Sequence, residues 1–257
     1  MNILSIRSVA KAFDGVRAVD DVSFDLGKGE FLALIGPNGA GKSTCFNMIN
    51  GQIMPDRGQI LFEGRDIAGL PSRKIWRRGV GRTFQIAATF GSMTVAENVQ
   101  MALISNAHEI FNAWVPAATR HRERALALLA QVGMAAAADR PSRELAYGDV
   151  KRVELAIALG NDPRLLLMDE PTAGMAPKER NDLIALVKRL VLERNISVLF
   201  TEHSMDVVFA FADRIIVLAR GKLIADGDAK SVRENVLVQQ VYFGTGKSFE
   251  RKRELRP

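Results

Sequence analysis

The sequence contains very little cysteine. Cys45 is the single cysteine among 257 residues, so no disulfide can form within the chain. A chain of this composition suits a reducing compartment, and we expect it in the cytoplasm. A reactive thiolate is conceivable at Cys45, which follows a glycine-rich loop. A small buried side chain is the favoured interpretation, because the chemistry expected of that loop needs no thiol.

Long apolar runs are also absent. No run approaches the roughly 20 residues that a helix needs to span a bilayer. The first residues, Met1–Arg7, are too short and too interrupted for a signal peptide. We therefore expect a chain that is not secreted and does not span a membrane. Its 47% hydrophobic residues are enough for one large domain or two tightly joined lobes.

Two of the histidines lack the spacing of metal ligands. His108 and His121 have no cysteine or carboxylate at a ligand-like distance along the chain, so we expect no metal there.

The net charge is +6, and a basic tail is formed by Arg251, Lys252, Arg253 and Arg256. Anionic lipid or nucleic acid could attract such a tail. No aromatic residues interleave with these charges, so a solvated terminus is favoured and no nucleic-acid partner is expected.

The most informative stretch is a glycine-rich loop that follows the apolar run Phe31–Ile35. It consists of Gly36, Pro37, Asn38, Gly39, Ala40, Gly41, Lys42, Ser43 and Thr44. Its glycines let backbone N–H groups converge on phosphate oxygens. Lys42 adds a positive charge, Ser43 offers a hydroxyl to Mg²⁺, and a helix expected to begin near Lys42 directs its positive end at the same phosphates. This spacing predicts a phosphate-binding loop rather than a structural turn.

Strand and helix patterns alternate around this loop. Residues 3–13 and 19–26 are rich in Val, Ile and Phe and are separated by turns, which predicts antiparallel strands. Leu165–Met168 is a continuous apolar run, typical of a parallel strand buried on both faces. Helical periodicity begins at Thr94 and continues to Val132. The chain is thus predicted to be α/β, with a mainly parallel sheet, an antiparallel β subdomain, an inserted α-helical subdomain, and ligands at the carboxyl ends of the strands.

Five other residues could meet a ligand at those strand ends. Phe13 ends the first strand and could stack on adenine, although an aromatic residue there usually packs on the core. Gln85 ends another apolar stretch and could offer its amide to a metal, a water or a hinge. Asp169 and Glu170 end the buried strand, where two carboxylates would be costly without a cation. His203 lies just beyond a further strand.

The order of the phosphate loop, Gln85, Asp169-Glu170 and His203 resembles that of ATP-binding subunits of ABC transporters. The resemblance covers essentially the whole chain and implies the P-loop ATPase fold. Three shorter stretches are similar to the branch that imports branched-chain amino acids, whose subunit type also serves amides and urea. They are Arg82 to Gln85, Met93 to Val99, and Glu202 to Met205.

The resemblance implies a role for each candidate residue. Phe13 would stack on the adenine of ATP, and the loop would bind its phosphates. Ser43, Gln85 and Asp169 would hold Mg²⁺.

For catalysis, the resemblance implies that Glu170 is the general base and that His203 contacts the γ-phosphate. Gln85 would also take part in catalysis. Leu145 to Asp149 matches the signature motif of the family, in which Gly148 would approach ATP held by the opposite subunit.

Two departures from the family pattern stand out. The signature has Ala146 and Asp149 where serine and glutamine are usual, so the serine hydroxyl is missing. Asp149 could face the triphosphate with like charge, or it could lie at the start of the next helix, where an acid is favourable. Ala176 replaces the usual aspartate of the segment after Glu170.

The same resemblance implies partners and a location. The chain would deliver energy to membrane-spanning permease subunits, pair with a second ATP-binding subunit as a homodimer or heterodimer, and serve a periplasmic or extracellular binding protein indirectly. It would be cytoplasmic and peripheral on the inner face of the cell membrane. Two alternatives are a soluble non-transport ABC ATPase and a regulatory subunit that binds ATP but hydrolyses it weakly. No long coiled-coil insert or second cassette, as non-transport members usually carry, is visible.

The expected domain organisation is a single ATP-binding domain over residues 1–257. Residues 1–90 and 160–230 would form the nucleotide-binding core with the antiparallel β subdomain. Residues 91–159 would form the helical subdomain with the signature, and residues 231–257 would form a C-terminal helix and the basic tail.

Overall fold

The computed structural model describes residues 1–83, 89–107 and 119–243. The predictions made for Gln85, for His108 and for the basic tail concern residues outside these ranges.

The described part of the chain contains both strands and helices. The strands are β1 (Asn2–Phe13), β2 (Val16–Gly27), β3 (Phe31–Ile35), β4 (Arg57–Phe62), β5 (Arg65–Asp66), β6 (Val80–Thr83), β7 (Leu165–Asp169), β8 (Ser197–Thr201), β9 (Arg214–Ala219) and β10 (Lys222–Gly227). The helices are α1 (Lys42–Ile49), α2 (Ser72–Arg77), α3 (Val95–Asn106), α4 (Arg122–Gln131), α5 (Tyr147–Leu159), α6 (Pro177–Arg194), α7 (Met205–Phe211), α8 (Ala229–Glu234) and α9 (Val236–Phe243). Short 3-10 turns occur at Ala135–Ala137 and Ser142–Glu144.

The first sheet is antiparallel and has the strand order β2-β1-β4-β5. Ile6 of β1 pairs with Phe24 of β2 on one side and with Ile60 of β4 on the other. All three side chains are buried, because residues of matching register point to the same face of a sheet. The predicted antiparallel strands are confirmed.

The second sheet has the order β10-β9-β3-β8-β7-β6. Its strands β6, β7, β8, β3 and β9 run parallel, and β10 pairs with β9 in the antiparallel direction. Because parallel strands bring their carboxyl ends to one edge, the loop after β3 and the residues after β7 and β8 lie along the same edge. The prediction of an α/β fold with a mainly parallel sheet is confirmed.

Apolar layers cover both faces of this second sheet. Phe31, Ala33 and Ile35 of β3 belong to a cluster that also contains apolar residues of α3, α4, α5 and α6. Leu32 and Leu34, which alternate with them, belong to a second cluster together with α1 and the first sheet. The strand is apolar throughout because it is buried on both faces.

A local capping box sets the start of α3. The Thr94 hydroxyl oxygen accepts from the N–H of Glu97 at 3.2 Å, and the Glu97 carboxylate accepts from the N–H of Thr94 at 2.7 Å. Both groups would otherwise be unsatisfied helix-terminal donors. The helical pattern predicted from Thr94 therefore begins where the sequence indicates.

Within the described ranges, no helix combines the length and apolar character required to cross a bilayer.

Cys45 lies on α1 between the two sheets and is 4% exposed, which confirms the prediction of a buried side chain. It lines a small apolar hollow together with Ile6, Phe24, Met48 and Ile60. Burial raises the pKa of the Cys45 thiol to about 12. The thiolate therefore forms far more readily in the unfolded chain than in the folded protein.

We expect alkylation of folded protein by iodoacetamide at pH 8 to be at least about 10²-fold slower than alkylation of urea-unfolded protein. The same shift makes unfolding easier as pH rises from the unfolded thiol value of about 8.5 towards 12. Mass spectrometry of labelled protein measures the first effect, and Cys45→Ala is the unlabelled control. Equal labelling rates in the two states would contradict the buried thiol.

Candidate nucleotide site

The phosphate loop connects β3 to α1, and its glycines are required by close backbone approaches. A Cβ atom at Gly36 would lie 2.3 Å from the carbonyl oxygen of Leu218. A Cβ atom at Gly41 would lie 2.3 Å from the carbonyl oxygen of Ala18, and Gly41 has a φ of +103°. Glycine is therefore needed at both ends of the loop for steric and conformational reasons.

Helix α1 begins at Lys42, as predicted, and its N-cap is Gly41, which has no side chain to cap the first N–H groups. Those groups are available to an anion, and the helix dipole favours negative charge at this end. Ser43, Asn38 and Gly39 are exposed beside them. The loop thus presents donors to solvent at the carboxyl edge of the sheet.

The ammonium group of Lys42 lies across the loop. Its Nζ donates to the carbonyl oxygens of Gly36 at 2.8 Å and Pro37 at 3.1 Å. Burial lowers the pKa of Lys42, whereas the nearby Glu170 and Asp169 carboxylates oppose this change. The predicted phosphate-binding lysine and the two predicted carboxylates therefore lie close enough to interact.

Asp169 ends β7 and is 8% exposed. Its Oδ1 accepts from the hydroxyl of Thr201 at 2.8 Å, and its Oδ2 lies 3.4 Å from Nη2 of Arg82. Glu170 follows with a φ of +49°, which is uncommon for a residue other than glycine. Its Oε1 lies 2.7 Å from Nε2 of His203, so two residues predicted to be catalytic are in contact.

Arg82 is a cation beside the buried Asp169 carboxylate, with its Nη2 lying 3.4 Å from Oδ2. It belongs to one of the family-like stretches, but its residue type and spacing do not single it out as a site residue. Its Nη1 donates to the side-chain oxygens of Asn47 at 2.9 Å and Gln52 at 3.0 Å. Burial lowers the pKa of Arg82, and Asp169 opposes this change. An arginine between Gly81 and Thr83 in a buried strand is the feature that could have drawn attention to it.

Phe13 is placed at the end of β1 and is 44% exposed. Nζ of Lys11 lies 5.6 Å from the centre of its ring. The usual role of such an aromatic residue, packing on the core, is therefore not what the structure shows.

The signature stretch lies at the start of α5. Ala146 is its N-cap and makes no side-chain capping bond, and Asp149 lies in the first turn, where an acid interacts favourably with the helix dipole. A Cβ atom at Gly148 would be 3.5 Å from the Met175 side chain, in ordinary contact distance. Ala176, the other departure, is the N-cap of α6.

Taken together, the loop and the strand ends define a class of protein: a nucleotide-binding P-loop ATPase. A family model described as ABC transporter matches residues 19–173. The chain belongs to this family, as one of its ATP-binding cassettes, and ATPase activity is the activity of such cassettes.

Two curated relatives cover nearly the whole chain. One is the high-affinity branched-chain amino acid transport ATP-binding protein BraF of Pseudomonas aeruginosa, which is 38% identical over 249 residues. The other is the high-affinity branched-chain amino acid transport ATP-binding protein LivG of Escherichia coli, which is 36% identical over 249 residues. In both cases the match covers 94% of this chain and 98% of the relative.

Solved structures agree with this assignment. An ATP-binding cassette of an ABC transporter in its ADP conformation superposes with a TM-score of 0.86 and 34% identity, covering 95% of this chain and 99% of that one. A dimeric cassette in a post-hydrolysis state, bound to ADP and Pi, superposes with a TM-score of 0.74 and 26% identity, covering 88% and 98%. Nucleotide binding, predicted from the loop, is thus a property of the family.

Proposed function

We propose that this chain hydrolyses ATP to drive an importer of branched-chain amino acids or related small polar molecules. The observation that carries the hydrolytic part is the contact between Glu170 and His203, beside Lys42 and the phosphate loop. A regulatory subunit that binds ATP without turnover would not need this pair. The import part is supported by relatives of that description that match over 94% of the chain.

The proposed binding step uses the loop and the strand edge. Loop N–H groups and Lys42 hold the β- and γ-phosphates, so Lys42 exchanges its carbonyl partners at Gly36 and Pro37 for phosphate oxygens. Phe13, with its exposed ring, stacks on adenine.

Ser43 and Asp169 fit a Mg²⁺ ion, because a hydroxyl and a carboxylate are the hard oxygen ligands that this ion prefers. Gln85 is proposed as a further ligand. When bound, Mg²⁺ would neutralise phosphate charge. Arg82, which contacts Asp169, holds that carboxylate in place.

The proposed chemical step needs a base for water and donors for the γ-phosphate. Glu170 accepts a proton from the attacking water at a carboxylate oxygen. His203, held by Glu170 in the described structure, reaches the γ-phosphate when the site is filled. Gln85 is proposed to complete the set of catalytic residues. Because this is mostly positioning and charge stabilisation, small displacements of the pair should be costly.

Assembly is part of the proposal. Two cassettes would close on ATP, with Gly148 of one signature approaching the nucleotide held by the other subunit. The helical segment 91–159 and Gln85 would contact membrane-spanning permease subunits, which receive substrate from a periplasmic or extracellular binding protein. The chain would then lie on the inner face of the membrane, with residues 1–90 and 160–230 as its core and 231–257 as a C-terminal extension.

The test is reconstitution in proteoliposomes with candidate permease subunits and a candidate binding protein from the same genome. We expect ATP hydrolysis to rise when the cognate binding protein is added with leucine, isoleucine or valine. Proteoliposomes with binding protein but without amino acid are the control, and acetamide and urea test the related small polar molecules. Turnover that no such substrate stimulates, but that DNA or ribosomes do stimulate, would overturn the import function and favour a non-transport ATPase.

A further inference from the structure

Glu202 is a buried carboxylate that lies next to the catalytic pair without belonging to it. It follows β8, precedes His203, and is 4% exposed. Its Oε1 accepts from the N–H of Thr172 at 3.0 Å and from the hydroxyl of Thr172 at 2.6 Å. Its Oε2 accepts from the N–H of His203 at 3.2 Å.

These hydrogen bonds, and not an ion pair, compensate the burial of Glu202. Among the residues that the structure describes, no lysine or arginine forms a salt bridge with it. A buried carboxylate is costly unless donors satisfy it, and here each oxygen is directed at a segment that carries a catalytic residue. Thr172 comes two residues after Glu170, and His203 comes directly after Glu202. The side chain therefore connects the two segments whose relative position determines the Glu170–His203 contact.

The ends of β7 and β8 are also joined directly to each other, through Thr201, the residue before Glu202. Asp169 pairs with Thr201 in the parallel register, and the N–H of Glu170 donates to the hydroxyl oxygen of Thr201 at 3.0 Å. At Glu170 the backbone then leaves β7 through a left-handed conformation, with a φ of +49°. Such a conformation persists where surrounding contacts hold it. The bonds from Thr172 to Glu202 are contacts of this kind, immediately beyond the turn.

We propose that Glu202 is a positioning residue for ATP hydrolysis. By holding the backbones of Thr172 and His203 together, it keeps the Glu170 carboxylate and the His203 imidazole at their 2.7 Å separation. Its hydrogen bonds in the described structure are to Thr172 and His203, and it acts through these residues. The inference rests on the catalytic roles proposed for Glu170 and His203.

Glu202→Gln is the main test, because the amide keeps the size of the side chain but turns one acceptor into a donor. One of the two segments then faces a donor in place of an acceptor. We expect kcat to fall about tenfold, while KM and the ATP dissociation constant change by less than about twofold, since the phosphate loop is untouched. Steady-state kinetics and equilibrium nucleotide binding measure the two quantities.

Asp213→Asn is a control for the loss of a carboxylate far from the site; unlike the buried Glu202, Asp213 is exposed and also pairs with Lys188 at 3.1 Å. The Asp213 carboxylate also accepts a backbone N–H, from Phe31 at 2.9 Å, but Phe31 begins β3, at the opposite edge of the sheet. We expect Asp213→Asn to lower the melting temperature without changing kcat by more than about twofold. Equal losses of kcat in the two variants would reduce Glu202 to a structural role and overturn the proposal.

A double-variant comparison tests the route by which Glu202 acts. In a His203→Ala background, Glu202→Gln should lower the rate of single-turnover hydrolysis by no more than about a further twofold. The reason is that the Glu170–His203 contact, which Glu202 supports, is already absent. Full additivity would contradict the proposal. If Glu202→Gln does not fold, Thr172→Val carries the test, with an expected loss of about threefold in kcat. Normal turnover of that variant would then overturn the proposal.

The outcomes separate this inference from the function on which it rests. Normal turnover in Glu202→Gln together with strongly reduced turnover in Glu170→Gln would reject the positioning role and keep the catalytic assignment. Normal turnover in Glu170→Gln would reject the catalytic assignment itself.

Discussion

Glu170→Gln is expected to lower ATP turnover by about 10² or more, while ATP binding stays close to that of the parent. The substitution keeps the shape of the side chain and a hydrogen-bond acceptor for His203, whose Nε2 lies 2.7 Å from Oε1. It removes the negative charge and the basic oxygen that would take a proton from water. The loss should therefore appear in kcat and not in nucleotide affinity.

Phosphate release and equilibrium binding of a fluorescent ATP analogue measure the two quantities. Glu179→Gln is the control, because Glu179 is an exposed carboxylate in the first turn of α6. Turnover of Glu170→Gln within a few fold of the parent would mean that another group is the base. A parallel loss of affinity would instead show that Glu170 supports the bound state.

Lys42→Ala is expected to abolish most of the thermal stabilisation that Mg-ATP gives to the protein. A ligand at 100 times its dissociation constant stabilises the folded state by about 2.7 kcal/mol. For a chain of this size that corresponds to a rise of roughly 5–10 °C in the melting temperature. The shift should depend on the ammonium group, which donates to the loop carbonyls and is close enough to the Asp169 and Glu170 carboxylates to interact with them.

The comparison must use each variant's own nucleotide-free melting temperature. Lys42 donates to two carbonyl oxygens of the loop, so its removal changes the stability of the free protein as well. Lys28→Ala is the matched control, because Lys28 is an exposed lysine in the turn before β3, away from the loop. A full nucleotide-induced shift in Lys42→Ala would reject the phosphate-binding assignment.

Much of the site could be predicted because its parts are local. The glycine-rich loop, the helix start at Lys42, and the acidic pair at the end of a buried strand each occupy a few consecutive residues. Their backbone requirements are visible in residue type and spacing. The predicted strand ends at Asp169 and Thr201 meet as neighbours in the sheet, so the topological expectation for this edge is confirmed.

Other features depend on residues far apart in the chain. Arg82 and Asp169 are separated by 87 positions, and nothing in the local pattern around either one indicates the other. The same applies to Thr172 and Glu202, which are separated by 30 positions. The short helices α2 and α7 were not predicted either, since six or seven residues are too few for a clear helical period.

For this protein, local sequence alone is enough to indicate an α/β fold, its phosphate loop and the strand-end residues that could meet a ligand, and the family resemblance adds the ATPase activity and the expected catalytic roles. The tertiary structure alone decided the strand order β10-β9-β3-β8-β7-β6, the pairing of Arg82 with Asp169, and the burial of Glu202 between the segments that carry Glu170 and His203. The physical reason is that a residue pattern indicates the backbone conformation of one helix or strand and which of its faces is buried. Which strands become neighbours depends on packing across the whole core, and that packing selects the charged side chains that meet inside it.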